Sequence, residues 1–194
     1  MAILVERESL GTKSQHISPA YVDKDGNSYL VSSDRPFPTL DVNHLRLHEG
    51  RAFKAYKVYP DATKLAAGAS CNIAIAWASG VNPHILLDAS CGGDAELYVY
   101  EGAVVTGGTS FTAINRHRVL DTASQSAILI NPTVTSVGTQ IDAEIVTGGS
   151  GKKSGCAGTS ALEMVFKPLT TYLFRLTNVN GTAHMAELLI EWYE

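Results

Sequence analysis

The chain has 194 residues, a net charge of −4 and a pI of about 5.8, with 45% hydrophobic, 8% aromatic and 18% charged residues. That length suits one β domain able to bury roughly 70% of its unfolded surface without a metal or a disulfide. No Lys/Arg block exists beyond Arg116-His117-Arg118, so no nucleic-acid partner is expected, and a charged fraction below the usual ~25% suggests that a partner covers part of the surface.

Glu6, Arg7 and Glu8 interrupt the apolar residues of the first ten, so no signal-peptide core is expected. No apolar run approaches the ~20 residues of a membrane span, so no membrane partner is expected either. Gly11, Thr12, Ser14, Gln15 and Ser18-Pro19 are loop-forming. Asp25-Gly26 then separates two β-rich runs, Ala20-Tyr21-Val22 and Tyr29-Leu30-Val31, which predicts a hairpin. Pro36 and Pro38 break regular structure after it. Residues 1–40 therefore read as an arm with one small hairpin, or equally as an edge hairpin of the domain that fills 41–194.

From Val42 onward the predicted period is two. In Cys71-Asn72-Ile73-Ala74-Ile75-Ala76-Trp77 the odd positions are large and apolar. Residues 97–101, 127–131, 141–146, 163–166, 172–177 and 185–193 are further β-rich runs. Gly92-Gly93, Gly107-Gly108, Asn131-Pro132, Gly148-Gly149, Lys167-Pro168 and Asn180-Gly181 punctuate them. No segment keeps a 3.6-residue period over three turns. The pattern predicts an all-β sandwich, jelly roll or barrel, with 147–160 as a Gly/Ser/Lys-rich surface loop.

The candidate chemistry is sparse. His44-Leu-Arg-Leu-His48-Glu49 is the first metal-like motif. On a strand, positions 44, 46 and 48 share a face, which sets the Arg46 cation between the histidines and repels a metal. Glu49 and His84 are available as extra ligands, yet the expectation is a polar strand face with no metal. Asp88, Asp94, Glu96 and Glu101 cluster in sequence, but nothing marks two of them as converging for glycoside hydrolysis. There is no Gly-x-Ser-x-Gly elbow, and the Gly-rich 148–158 segment fails phosphate-loop spacing. Cys71, Cys91 and Cys156 fit no zinc pattern and no disulfide framework. Reduced cysteines in a cytoplasm are expected, with Cys71 in the core.

Several ordered segments suggest a family. These are residues 97–102 ending Tyr100-Glu101-Gly102, then Gly107-Gly108-Thr109, then Asn115-Arg116-His117-Arg118. Asn131-Pro132-Thr133 with Gly138-Thr139 and the closing 167–178 and 188–194 runs follow, and His44 to Gly50 with Phe53 would be the opening strand. Over residues 42–194 this set resembles head decoration (cement) and minor structural proteins of tailed phages.

The resemblance implies a jelly-roll-like β-sandwich on the outer capsid surface. It would bind the major capsid protein, often as a homotrimer, with no catalysis and no cofactor. The candidate structural or capsid-contact residues are Asn115, Arg116 and Arg118, with Tyr21 and Tyr29 on the predicted hairpin. On a strand, Arg116 and Arg118 would share a face and Asn115 the other. Arg offers a planar fork of donors for loop carbonyls or a partner's carboxylates. The alternative is that the three brace a long connection within the fold. A tail or fibre domain that binds a receptor or glycan is the competing function, and a small hydrolase or metal-dependent cupin is the third.

Overall fold

The computed structural model describes residues 20–22, 28–30, 42–148 and 163–194. The chain divides into two units, 1–41 and 42–194. In the first, β1 (Ala20–Val22) and β2 (Ser28–Leu30) pair antiparallel, with Tyr21 opposite Tyr29. This is the hairpin that the Asp25-Gly26 signal predicts. Its loop and Val31 lie outside the described residues.

The second unit opens with a helix, α1 (Val42–His48), where the sequence reading placed a strand. Leu45, Arg46 and Leu47 are good helix formers. The stop is local. The Gly50 amide donates to the Leu47 carbonyl at 3.1 Å and the Arg51 amide to that of Arg46 at 2.9 Å. Gly50 takes φ +69°, the left-handed cap of a Schellman motif. A helix of two turns is too short for a 3.6-residue period to stand out, which is why alternation was misread there.

Apart from a 3-10 turn at Asp61–Thr63, the elements of the remaining described residues are antiparallel strands, in keeping with the predicted β class. The strands are β3 (Ala52–Tyr59), β4 (Ser70–Trp77), β5 (His84–Cys91), β6 (Ala95–Glu101), β7 (Val104–Thr106), β8 (Thr109–Phe111), β9 (Ile114–Asn115), β10 (Ser126–Ile130), β11 (Thr133–Ser136), β12 (Thr139–Val146), β13 (Met164–Val165), β14 (Thr171–Asn178) and β15 (Ala186–Tyr193). A six-stranded sheet runs β12-β6-β14-β4-β10-β8, and a five-stranded one runs β13-β5-β15-β3-β9. The pairing is nested. β3 pairs with β15, β4 with β14, β5 with β13 and β6 with β12. The first and second halves of the unit thus close on each other like one long folded hairpin.

Alternation sends one face of each sheet into a shared core. Cys71, Ile73, Ile75 and Trp77 of β4 meet Ile85, Leu87, Ala89 and Cys91 of β5, Leu188, Ile190 and Trp192 of β15, and Phe53 of β3. Burying each large apolar side chain contributes about 1.5–3 kcal/mol. Trp192 stacks on Phe53 and meets Trp77 edge-on.

The run Tyr172-Leu173-Phe174 breaks strict alternation because all three are buried. Leu173 points out of the opposite face of the six-stranded sheet. There it joins Ala74 and Ala103 in a smaller cluster with Val105 of β7 and Val134 of β11, which form a two-stranded ribbon. Cys71 and Cys91 are both buried and free. Burial pushes the Cys71 thiol up to about 12, so it is an inert core residue. Cys156 and the 149–160 part of the predicted loop lie outside the described residues.

Candidate functional site

Asn115, Arg116 and Arg118 lie at the corner where α1 enters β3. Ile114 and Asn115 form the short strand β9 beside Lys54 and Phe53. The chain then leaves the sheet, so Arg116 and Arg118 are not on a strand and share no face, contrary to expectation. The Arg116 amide donates to the Ala52 carbonyl at 2.8 Å, and its guanidinium reaches Glu191 of β15 at 3.5 Å. Arg118 turns back, and its Nη1 donates to the Asn115 carbonyl at 3.3 Å.

Asn115 is one of two buried polar side chains, the other being Asn178, among the described residues. Its Nδ2 donates to the Gly50 carbonyl at 2.8 Å and to that of Thr122 at 2.9 Å. Its Oδ1 accepts from the His117 amide at 2.8 Å. One buried side chain thus satisfies three backbone groups where the connection meets the sheet. Asn178 repeats the device at the far end of β14. Its Nδ2 donates to Leu65, Ala66 and Thr182 carbonyls, and its Oδ1 accepts from the Asn180 amide at 3.0 Å. Asn115 and Arg118 thus both bond backbone groups in or beside the 115–122 connection. Tyr21 and Tyr29 are placed only by their pairing across β1 and β2.

The helix changes the histidine geometry. At i and i+4, His44 and His48 lie one above the other on the same face. Their Nε2 atoms are 3.0 Å apart and both side chains are exposed. Arg46 is turned aside and pairs with Glu49 at 2.8 Å. The His117 ring lies 6.5 Å from that of His48, edge to face, and its buried Nδ1 has no hydrogen-bond partner among the described residues. No group of three or more His, Cys, Asp or Glu among the described residues is arranged to hold a metal ion.

His84 is engaged elsewhere. Its Nδ1 lies 2.6 Å from Glu163 Oε1, its ring stacks on Tyr193 at 4.6 Å, and the Tyr193 hydroxyl donates to the same carboxylate. The clustered acids disperse as well. Asp94 accepts from the Gly148 amide at 3.0 Å, Glu96 from the Tyr98 hydroxyl at 3.1 Å, and Glu101 from Lys167 at 2.7 Å and Tyr172 at 2.9 Å. Those bonds hold the Glu101 carboxyl below its ordinary range. Burial, aided by the Glu101 carboxylate, raises the Tyr172 phenol to about 12.

Compared with family models, curated proteins and solved structures, the chain matches none.

An open edge of the six-stranded sheet is formed by β12. This strand closes one edge of the six-stranded sheet, paired with β6 alone among the described strands. Only Val146 of its eight residues is buried. Ile145 is 72% exposed and Ile141 41%, and the register shifts between Gln140 and Asp142. Desolvation together with the Asp142 and Asp88 charges raises the Glu144 carboxyl above its ordinary range. Sequence alternation found the strand, but could not tell that both of its faces meet solvent.

Proposed function

We propose that the protein is a structural virion component, a decoration (cement) protein on the outer surface of a tailed-phage head. In this reading it is assembled in the host cytoplasm, binds the major capsid protein and bridges neighbouring capsid subunits as a homotrimer. The role needs no catalysis and no cofactor.

The observation that carries the reading is β12. An eight-residue edge with exposed Ile141 and Ile145 is what soluble monomers avoid, because free backbone donors and acceptors invite another chain. Asp142 and Glu144 beside the isoleucines select a partner of complementary charge and discourage random pairing. The nested pairing of β3–β6 with β12–β15 supports a finer reading of the sandwich as a jelly roll, an architecture used by capsid domains. The resemblance over residues 42–194 points the same way. Bridging works by multivalency: three linked contacts hold far more tightly than one.

Light scattering at micromolar concentration tests the oligomer, and co-sedimentation with undecorated heads of the parent virus tests attachment. A trimer that saturates the heads is the expected result. A monomer that leaves the heads bare would overturn the proposal.

A further inference from the structure

We propose that His44 and His48 form a chelating pair for a borderline divalent transition metal, Cu²⁺ or Ni²⁺ ahead of Zn²⁺, on the exposed face of α1. Two nitrogens held about 2.0–2.1 Å from one ion lie about 2.9 Å apart at a right angle and about 3.3 Å apart at the tetrahedral angle. The observed Nε2–Nε2 separation is 3.0 Å. It fits adjacent corners of the square-planar or tetragonal field that Cu²⁺ and Ni²⁺ favour.

Apart from the metal, the two nitrogens share one hydrogen bond, so one ring carries its proton on Nε2. On binding, that proton moves to Nδ1 and both Nε2 lone pairs face the ion. The objection from charge does not hold on a helix, because Arg46 is paired with Glu49 rather than placed between the rings. The remaining positions of the ion go to water, since the described residues offer no third ligand already in place. Imidazole ligation excludes Ca²⁺ and Mg²⁺, which take oxygen donors.

The chelate would also serve the fold. A seven-residue helix is well below the length at which helices hold in isolation. Joining i to i+4 through a metal fixes the turn that leads into the Gly50 cap and β3.

The test is calorimetric titration of the full chain with CuCl₂, NiCl₂ or ZnCl₂ alone at pH 7.5, beside His44→Ala, His48→Ala and the double variant. The expected result is one site with affinity in the order Cu²⁺, Ni²⁺, Zn²⁺. Each single variant should weaken Ni²⁺ binding at least tenfold. Unchanged melting of the metal-free variants separates a lost ligand from a lost fold. His117→Ala should leave affinity within about twofold. A double variant that binds Ni²⁺ as the wild type does would overturn the site, and a His117→Ala loss as large as that of His44→Ala would overturn the two-ligand assignment.

Discussion

Replacing Asn115 by alanine is the sharpest test of how the corner is held. The substitution removes the donor to the Gly50 and Thr122 carbonyls and the acceptor for the His117 amide. Asn115 is only 7% exposed, so water cannot simply take its place. Each buried polar group left unpaired costs about 1–3 kcal/mol, and partial rehydration of the loop recovers some of that, leaving an expected loss of about 2–4 kcal/mol. For a domain of this size the loss lowers Tm by roughly 5–15 °C. Asn115→Asp should be no better, because a carboxylate would face two carbonyl oxygens. The assay is urea unfolding with a thermal melt alongside, comparing midpoints at constant slope. A loss below about 0.5 kcal/mol would refute the bracing argument, and it would do so decisively if head binding fell at the same time, since the side chain would then be a contact and not a strut.

Other expectations are as direct. Cys71→Ala should cost about 1–2 kcal/mol, at the low end of core truncations, and thiol reagents should leave Cys71 unmodified in the native state. Ile145→Asp should leave the melt of the isolated subunit near wild type while abolishing both trimer and head binding; retained trimers by light scattering would remove β12 from the interface. Glu101 has a depressed folded-state pKa, so its contribution is present above the ordinary carboxylate range and fades as pH falls through the folded value. Wild type and Glu101→Gln should therefore differ in Tm at pH 7 and converge in acid, and a constant gap across pH would refute the pairing with Lys167 and Tyr172. A chain starting at Thr39 should melt near the full-length value yet lose occupancy on undecorated heads; failure to fold would show that residues before Thr39 complete the sandwich.

The β class, the hairpin around Asp25-Gly26 and the core face of β4 were legible because a period of two survives in single segments. Ile85, Leu87, Ala89 and Cys91 carry the same signal for β5, and Phe53-Lys54-Ala55 starts it for β3, yet the reading passed over both. The helix was not legible. Histidines four apart are neighbours on a helix and strangers on a strand, and seven residues decide poorly between the two. The stop signal was present in Gly50, whose positive φ no β-branched or bulky residue would tolerate. The candidate site needed the third dimension. Asn115 and Gly50 are far apart in sequence, so no local pattern links a side-chain amide to that carbonyl, nor Glu163 to His84 and Tyr193.

The nesting of the strands has a consequence for how the protein is made. β3 is the first strand of the sandwich to leave the ribosome, and its partner β15 is the last. Until then Phe53 and Ala55 have no neighbour on that side, and β5 likewise waits for the same final strand. Closure cannot run ahead of synthesis, and the long sequence separation of its contacts puts folding in the slow, millisecond-to-second range. A chain stopped just short of Ala186 would therefore leave β3 and β5 each unpaired on the edge that β15 fills, flanking an empty slot, and is expected to aggregate or to capture a C-terminal strand from another copy.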